Sequence, residues 1–300
     1  MKKFVSFLLV LTMALGMSTF AFANDLEDIS ENSESDYYQE KGQINLRNLE
    51  LDITDTGKLI IKGDDIKAKN ALKTEISRSN NLTDTLKEYI EDGSAPVAIG
   101  YTRVYLKEVS DENGMIHLEP KTEAEVLSDT TSGPKEKKGN LTLYTTAFAT
   151  KQGITVESIA QWGNAFQLSQ ENTQAGYDDY LSAATNSNYI VNSSDFSATT
   201  TYETELPKKF YNKKDENDYS VVYSFKEMVE NAYAVKTAKV TMHCGKNGTL
   251  PKTVKSTSKY VHTWGSGKIT IGFGIGGPSF GLTDCKKSWQ IASSVNVPSA

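Results

Sequence analysis

The stretch ITIGFGIGGPSFGLTDC, residues 269–285, carries the spacing that most resembles catalytic machinery. Gly272, Gly274 and Gly277 fit G-x-G-x-x-G, whose glycines let a backbone wrap a pyrophosphate at a helix N-terminus. Gly277, Ser279 and Gly281 fit G-x-S-x-G, the sharp strand-to-helix turn that exposes a hydrolase serine. Neither pattern has its context. Pro278 follows Gly277 at once, no amphipathic helical run comes after, and the last histidine, His262, precedes Ser279 instead of following it. The alternation of Ile269, Ile271, Phe273 and Ile275 with Thr270, Gly272, Gly274 and Gly276 predicts a curved structural hairpin, because glycine on one strand face permits a bend or a close approach. No catalytic residue is assigned.

Other residues with chemical potential stand nearby. Tyr260, His262 and Trp264 would share one strand face, which makes them candidates for an aromatic binding groove or for a half-buried cluster under a sheet. Trp162 and Trp289 read as core. His243 beside Cys244 offers two ligands where a closed zinc site needs four, and His117 and His262 lie apart in sequence, so neither a metal nor a cofactor is expected. Cys244 and Cys285 are the two cysteines, and in an exported chain they predict a disulfide worth about 4 kcal/mol in the chain-entropy model. S-x-x-K matches at Ser132–Lys135 and Ser256–Lys259 lack their companion motifs. The acidic groups at 111–113 and 215–218 lack calcium-loop spacing and read as polar turns.

Export is the expectation from the first residues. Lys2 and Lys3, an apolar run and Ala21-Phe22-Ala23 form a secretory signal with cleavage after Ala23. Losing those two lysines takes the formal charge from −6 to −8. A net acidic chain argues against a nucleic-acid partner, and a membrane partner enters only under an alternative considered below.

The elements that must position these residues fall into two groups. Residues 24–43, rich in acids, are expected to be disordered. Residues 44–128 predict a small α+β unit: a hairpin from Leu49 to Ile61 around Thr56-Gly57, a helix carrying Leu82, Leu86, Tyr89 and Ile90, a second hairpin turning at Asn113-Gly114, and a Thr122/Glu125 capping box. Residues 129–138 read as a linker. From 139 to 298 eight short segments rich in Thr, Val, Ile and Tyr predict an antiparallel β-sandwich. The fold class is therefore mainly β.

The blocks VAIGYTRVYLKEV, IHLEP, GNLTLYTTAF, KYVHTW and KKSWQIASSV, spread over roughly 95–297, resemble an uncharacterised family of small secreted proteins of Gram-positive bacteria. The resemblance implies secretion and supplies no activity or catalytic residue. The leading expectation is a secreted, non-enzymatic protein that binds an extracellular ligand or a cell-envelope component. A membrane-active, aerolysin-like pore former that inserts strands from 193–206 ranks second, and a secreted hydrolase third.

Overall fold

A computed structural model describes residues 37–110, 112, 114, 116–129, 139–163, 177–186, 188–229, 233–249, 253–264, 268–274, 277–283 and 288–298. The expected signal sequence, residues 24–36, most of the expected linker and Cys285 lie outside the described residues. The fold is mainly β and antiparallel, as the alternation predicts.

An eight-stranded sheet forms the middle of the molecule. Its path runs β1 (Gln39–Asn45), β4 (Ala95–Ser110), β6 (Asn140–Ala149), β7 (Gly153–Trp162), β13 (Tyr233–Lys246) and β12 (Met228–Val229). β5 (Ile116–Pro120) joins β4, and β9 (Tyr189–Thr200) joins β13. A five-stranded sheet packs on one face, in the order β10 (Tyr211–Asn217), β11 (Ser220–Lys226), β8 (Asp178–Thr185), β14 (Thr253–Thr263) and β17 (Ser288–Pro298). Two small hairpins complete the strands: β2 (Glu50–Ile53) with β3 (Leu59–Lys62), and β15 (Lys268–Gly274) with β16 (Gly277–Thr283). The helices are α1 (Ile66–Arg78), α2 (Asn80–Glu91) and α3 (Glu123–Asp129).

Strand parity decides which residues meet. Along β7, Ile154, Val156, Ala160 and Trp162 face the five-stranded sheet, while Ile159 faces the helices. β6 divides in the same way: Leu141, Leu143 and Ala147 go to the sandwich core, and Tyr144 and Phe148 lie under the helices. All ten β7 residues are buried because both faces are covered. The helix side is closed by Leu72, Leu82 and Leu86, each fully buried and each worth roughly 1.5–3 kcal/mol of transfer free energy. Asp65 caps α1 through Ala68 N at 2.9 Å, and Ser79 caps α2 through Leu82 N at 3.1 Å.

Two expectations are corrected here. Gln39–Gln43 are not disordered: they form most of β1 and pair with β4 from Gly100 to Val104. Nor do 44–128 and 139–298 make separate bodies, because β4 pairs with β6 across that boundary and Tyr37–Ala300 forms one compact unit. A strand of 16 residues is too long to belong to a small hairpin unit, and its backbone groups are satisfied by joining the larger sheet. The remaining small elements match expectation. The β2–β3 hairpin, α2, the β4–β5 hairpin and the capping box all form, the last with Thr122 N donating to Glu125 Oε2 at 2.8 Å and Glu125 N donating to Thr122 Oγ1 at 3.4 Å.

The glycine-rich stretch is a strand pair, with Gly272 opposite Ser279 and Gly274 opposite Gly277. A strand that returns as a strand supplies no helix N-terminus, which removes the dinucleotide reading and the hydrolase elbow together.

Candidate functional site

Tyr260, His262 and Trp264 do share a face, and that face points into the sandwich core. They are 0%, 2% and 9% exposed. The groove that they were expected to line is therefore closed, and of the two sequence readings the aromatic cluster under a sheet is the one found. His262 stacks 5.5 Å from Trp264 and lies 5.2 Å from Trp289, while Trp162 meets Tyr260 edge-on at 5.5 Å. His117, from β5, stacks on Trp264 at 4.6 Å.

Two acids that sequence reading missed complete this cluster. Asp179 in β8 and Glu227, just past β11, occupy inner-face positions at the same end of the five-stranded sheet as His262. His262 Nδ1 lies 3.2 Å from Asp179 Oδ2 and 3.1 Å from Glu227 Oε2. The Tyr260 hydroxyl donates to Asp179 Oδ2, and the Thr263 backbone N–H donates to Asp179 Oδ1 at 3.0 Å. All three titratable groups are buried. A sequence signal existed: each follows or precedes a core residue by two positions, as Leu181 to Asp179, Phe225 to Glu227 and Tyr260 to His262. Alternation alone gives a polar residue in that slot no partner, so the signal went unread.

The open surface lies elsewhere, where the C-terminal end of α2 leaves the central sheet uncovered. A cleft of about 730 Å³ is lined there by Glu88, Tyr89, Asp92, Asp195, Lys239 and His243, among others. A second, of about 410 Å³, shares Asp92 and His243 and continues past Lys151, Asn192 and Ser193. Together they form a polar groove along β13 and β9. Its position follows from helix length, since α2 ends at Glu91 while the strands beneath run on.

The floor of the groove is held by a buried charge. Glu157 is fully buried, and its Oε1 accepts from Tyr89 OH at 3.0 Å and from Thr241 Oγ1 at 3.0 Å, with Lys239 Nζ at 3.2 Å. Lys239 also reaches Glu88 at 3.6 Å. His243 Nδ1 sits 3.0 Å from Thr155 Oγ1. Burial, reinforced by the Glu157 carboxylate, pushes the Tyr89 hydroxyl well above the ordinary tyrosine range, so it stays a donor. The groove walls carry Glu88, Glu91, Asp92 and Asp195 against Lys239 and Lys151, an excess of negative charge.

A second buried network pins α1. Glu75 faces the sheet and pairs with Arg103 Nη2 at 2.8 Å, while Tyr144 OH donates to the same carboxylate at 3.0 Å. Arg103 in turn donates to Thr142 Oγ1 at 2.9 Å. This network is structural, since its members are covered by the helix.

Cys244 is a free, buried thiol at the end of β13, and burial pushes its pKa up to about 12. Its expected disulfide partner, Cys285, lies outside the described residues.

No family model and no curated relative matches the sequence. Among solved structures, the chain is similar to the collagen-binding subdomain of the Enterococcus faecalis surface protein ACE, at 10% identity over 48% of this chain and 88% of that one, with a TM-score of 0.28. The collagen-binding domain of a Staphylococcus aureus adhesin gives 10% identity over 46% and 86%, with a TM-score of 0.26. Clostridium perfringens delta-toxin gives 6% identity over 66% and 90%, with a TM-score of 0.30. TM-scores this low assign the chain neither a fold family nor a ligand.

Proposed function

We propose that the chain is an exported, non-enzymatic binding protein that holds an extracellular ligand in the groove between α2 and the β13–β9 edge. The observation that carries this reading is the groove itself: an open polar trough, walled by unbalanced carboxylates and fixed from below by the Glu157 network. A rigid floor lowers the ordering cost of binding. The excess acid favours a partner that presents positive charge. The acid–imidazole pair that a hydrolase would need is present at Asp179 and His262, but it is buried in the core and lines neither cleft.

The test is sedimentation of purified residues 24–300 with an insoluble cationic polymer, polylysine-coated beads, and with teichoic-acid-bearing cell walls as the anionic control. Asp92→Asn combined with Asp195→Asn is the comparison. Binding that falls at least tenfold in the double variant supports the groove. Equal binding by both proteins, or none by either, defeats it.

One observation favours the second reading, membrane insertion. The β15–β16 hairpin belongs to neither main sheet, and Ile271 and Phe280 attach it to Tyr180, Val222 and Val261 on the outer face of the smaller sheet. Its strands have seven residues each, short of the about 9–11 that a spanning strand requires. The expected insertion segment, 193–206, is placed differently. β9 pairs with β13 along its length, and Phe196, Ala198 and Leu206 are buried in the core. Dye release from liposomes by the purified chain at nanomolar concentration would put insertion first and direct attention to the hairpin. Intact vesicles would leave the binding reading.

A further inference from the structure

We propose that Asp179, Glu227 and His262 form a binding site for one divalent transition-metal ion of the zinc or manganese class, tying three strands of the smaller sheet together. Their ligand atoms all lie within 4.8 Å of one another, and every one of the three residues is buried. The donor set, one imidazole and two carboxylates, is that of borderline ions. The spacing fits as well. Tetrahedral ligands about 2.1 Å from zinc stand about 3.4 Å apart, and His262 Nδ1 lies 3.2 Å and 3.1 Å from the two carboxylate oxygens.

Charge supplies the second argument. Two carboxylates inside a sandwich core face one imidazole. A protonated imidazole supplies one positive charge against two negative ones. A divalent ion supplies two, displaces the Nδ1 proton to solvent and matches the charge of the two carboxylates. The surroundings suit a held ligand set. The Thr263 N–H and the Tyr260 hydroxyl orient Asp179, in the way that outer hydrogen bonds orient metal-bound carboxylates. The site draws its ligands from β8, the end of β11 and β14, so the ion would lock neighbouring strands at the end of the sheet. It is independent of the groove.

The test uses residues 24–300 purified without chelator, analysed for bound metal, then stripped and titrated with zinc or manganese(II) by calorimetry. About one equivalent is expected. Binding should fall at least tenfold in Asp179→Asn and in Glu227→Gln, and should persist in Asp195→Asn, whose carboxylate belongs to the groove. No metal taken up by the stripped wild-type protein, or binding unchanged in both core variants, overturns the proposal. Should those variants fail to fold, cobalt(II) added to the wild-type protein decides. Visible bands of a tetrahedral nitrogen–oxygen site support the assignment, and a thiolate charge-transfer band places the metal on cysteine and overturns it.

Discussion

The Tyr89 hydroxyl, in the last turns of α2, donates a 3.0 Å hydrogen bond to Glu157 in the middle of the central sheet. The same residue stacks on Phe148 with ring centroids 3.9 Å apart, so one side chain fixes both the height and the angle of the helix over the strands. Because α2 forms a wall of the groove, this contact couples the stability of the fold to the shape of the candidate site. Removing only the hydroxyl, by Tyr89→Phe, leaves the stack and deprives a buried carboxylate of a donor. The expected cost is about 1–3 kcal/mol in urea unfolding. A midpoint equal to that of the wild type would show that the hydrogen bond is not made.

The two sheets approach closely at Gly100. A Cβ built there would stand 2.2 Å from the Ser294 backbone oxygen of β17, and backbone cannot swing aside as a side-chain tip can. Gly100→Ala is expected to destabilise the sandwich by about 1–3 kcal/mol. Gly57→Ala, whose Cβ meets nothing within 4 Å but whose φ is +75°, separates backbone strain from collision. Thermal unfolding of the two variants checks the distinction.

Cys244 offers a titration with a defined sign. Its folded-state pKa of about 12 lies above that of an unfolded cysteine, about 8.5, because burial penalises the thiolate. The unfolded chain therefore releases this proton first, and the contribution to stability is constant below about pH 8.5 and declines as pH rises toward 12. At pH 8 the folded protein should react with iodoacetamide at Cys244 far more slowly than the urea-unfolded protein, read by peptide mass mapping. Equal rates would contradict the buried thiol. A peptide linking Cys244 to Cys285 would contradict the free one.

The capping box of α3 titrates in the opposite sense. The hydrogen bond from Lys107 Nζ, at 2.7 Å, and that from the Thr122 N–H hold Glu125 down at about 2. A depressed carboxylate contributes stability above its unfolded pKa of about 4.3 and loses it as pH falls toward 2. Because Glu125 is half exposed, the effect is local fraying of α3 rather than loss of the fold. Carboxyl carbon shifts followed by NMR from pH 6 to 1.5 should place its midpoint near 2 in the wild type and move it upward in Lys107→Met.

Local chemistry made much of the chain legible before any coordinates. Each of the eight C-terminal segments contains a strand, since β-branched and aromatic residues at period two need no distant partner to declare themselves. The helix α1 escaped notice because its buried face carries Glu75 where an apolar stripe would put a hydrophobe. That carboxylate makes sense only beside Arg103, which arrives from β4. β8 escaped too: DDYLSAAT carries Asp179 in an inward position.

What the sequence determined by itself is local: Tyr260, His262 and Trp264 share a strand face, and Thr122 and Glu125 cap a helix. Period and turn chemistry are local, and they are written in neighbouring residues. Only the tertiary structure decided which face is covered. It turned the expected aromatic groove inward because a second sheet packs there, brought Asp179, Glu227 and His262 together from separate strands, and opened a groove where α2 ends before the strands do. Those outcomes depend on sheet order and layer stacking, which are set by contacts between residues far apart in the chain.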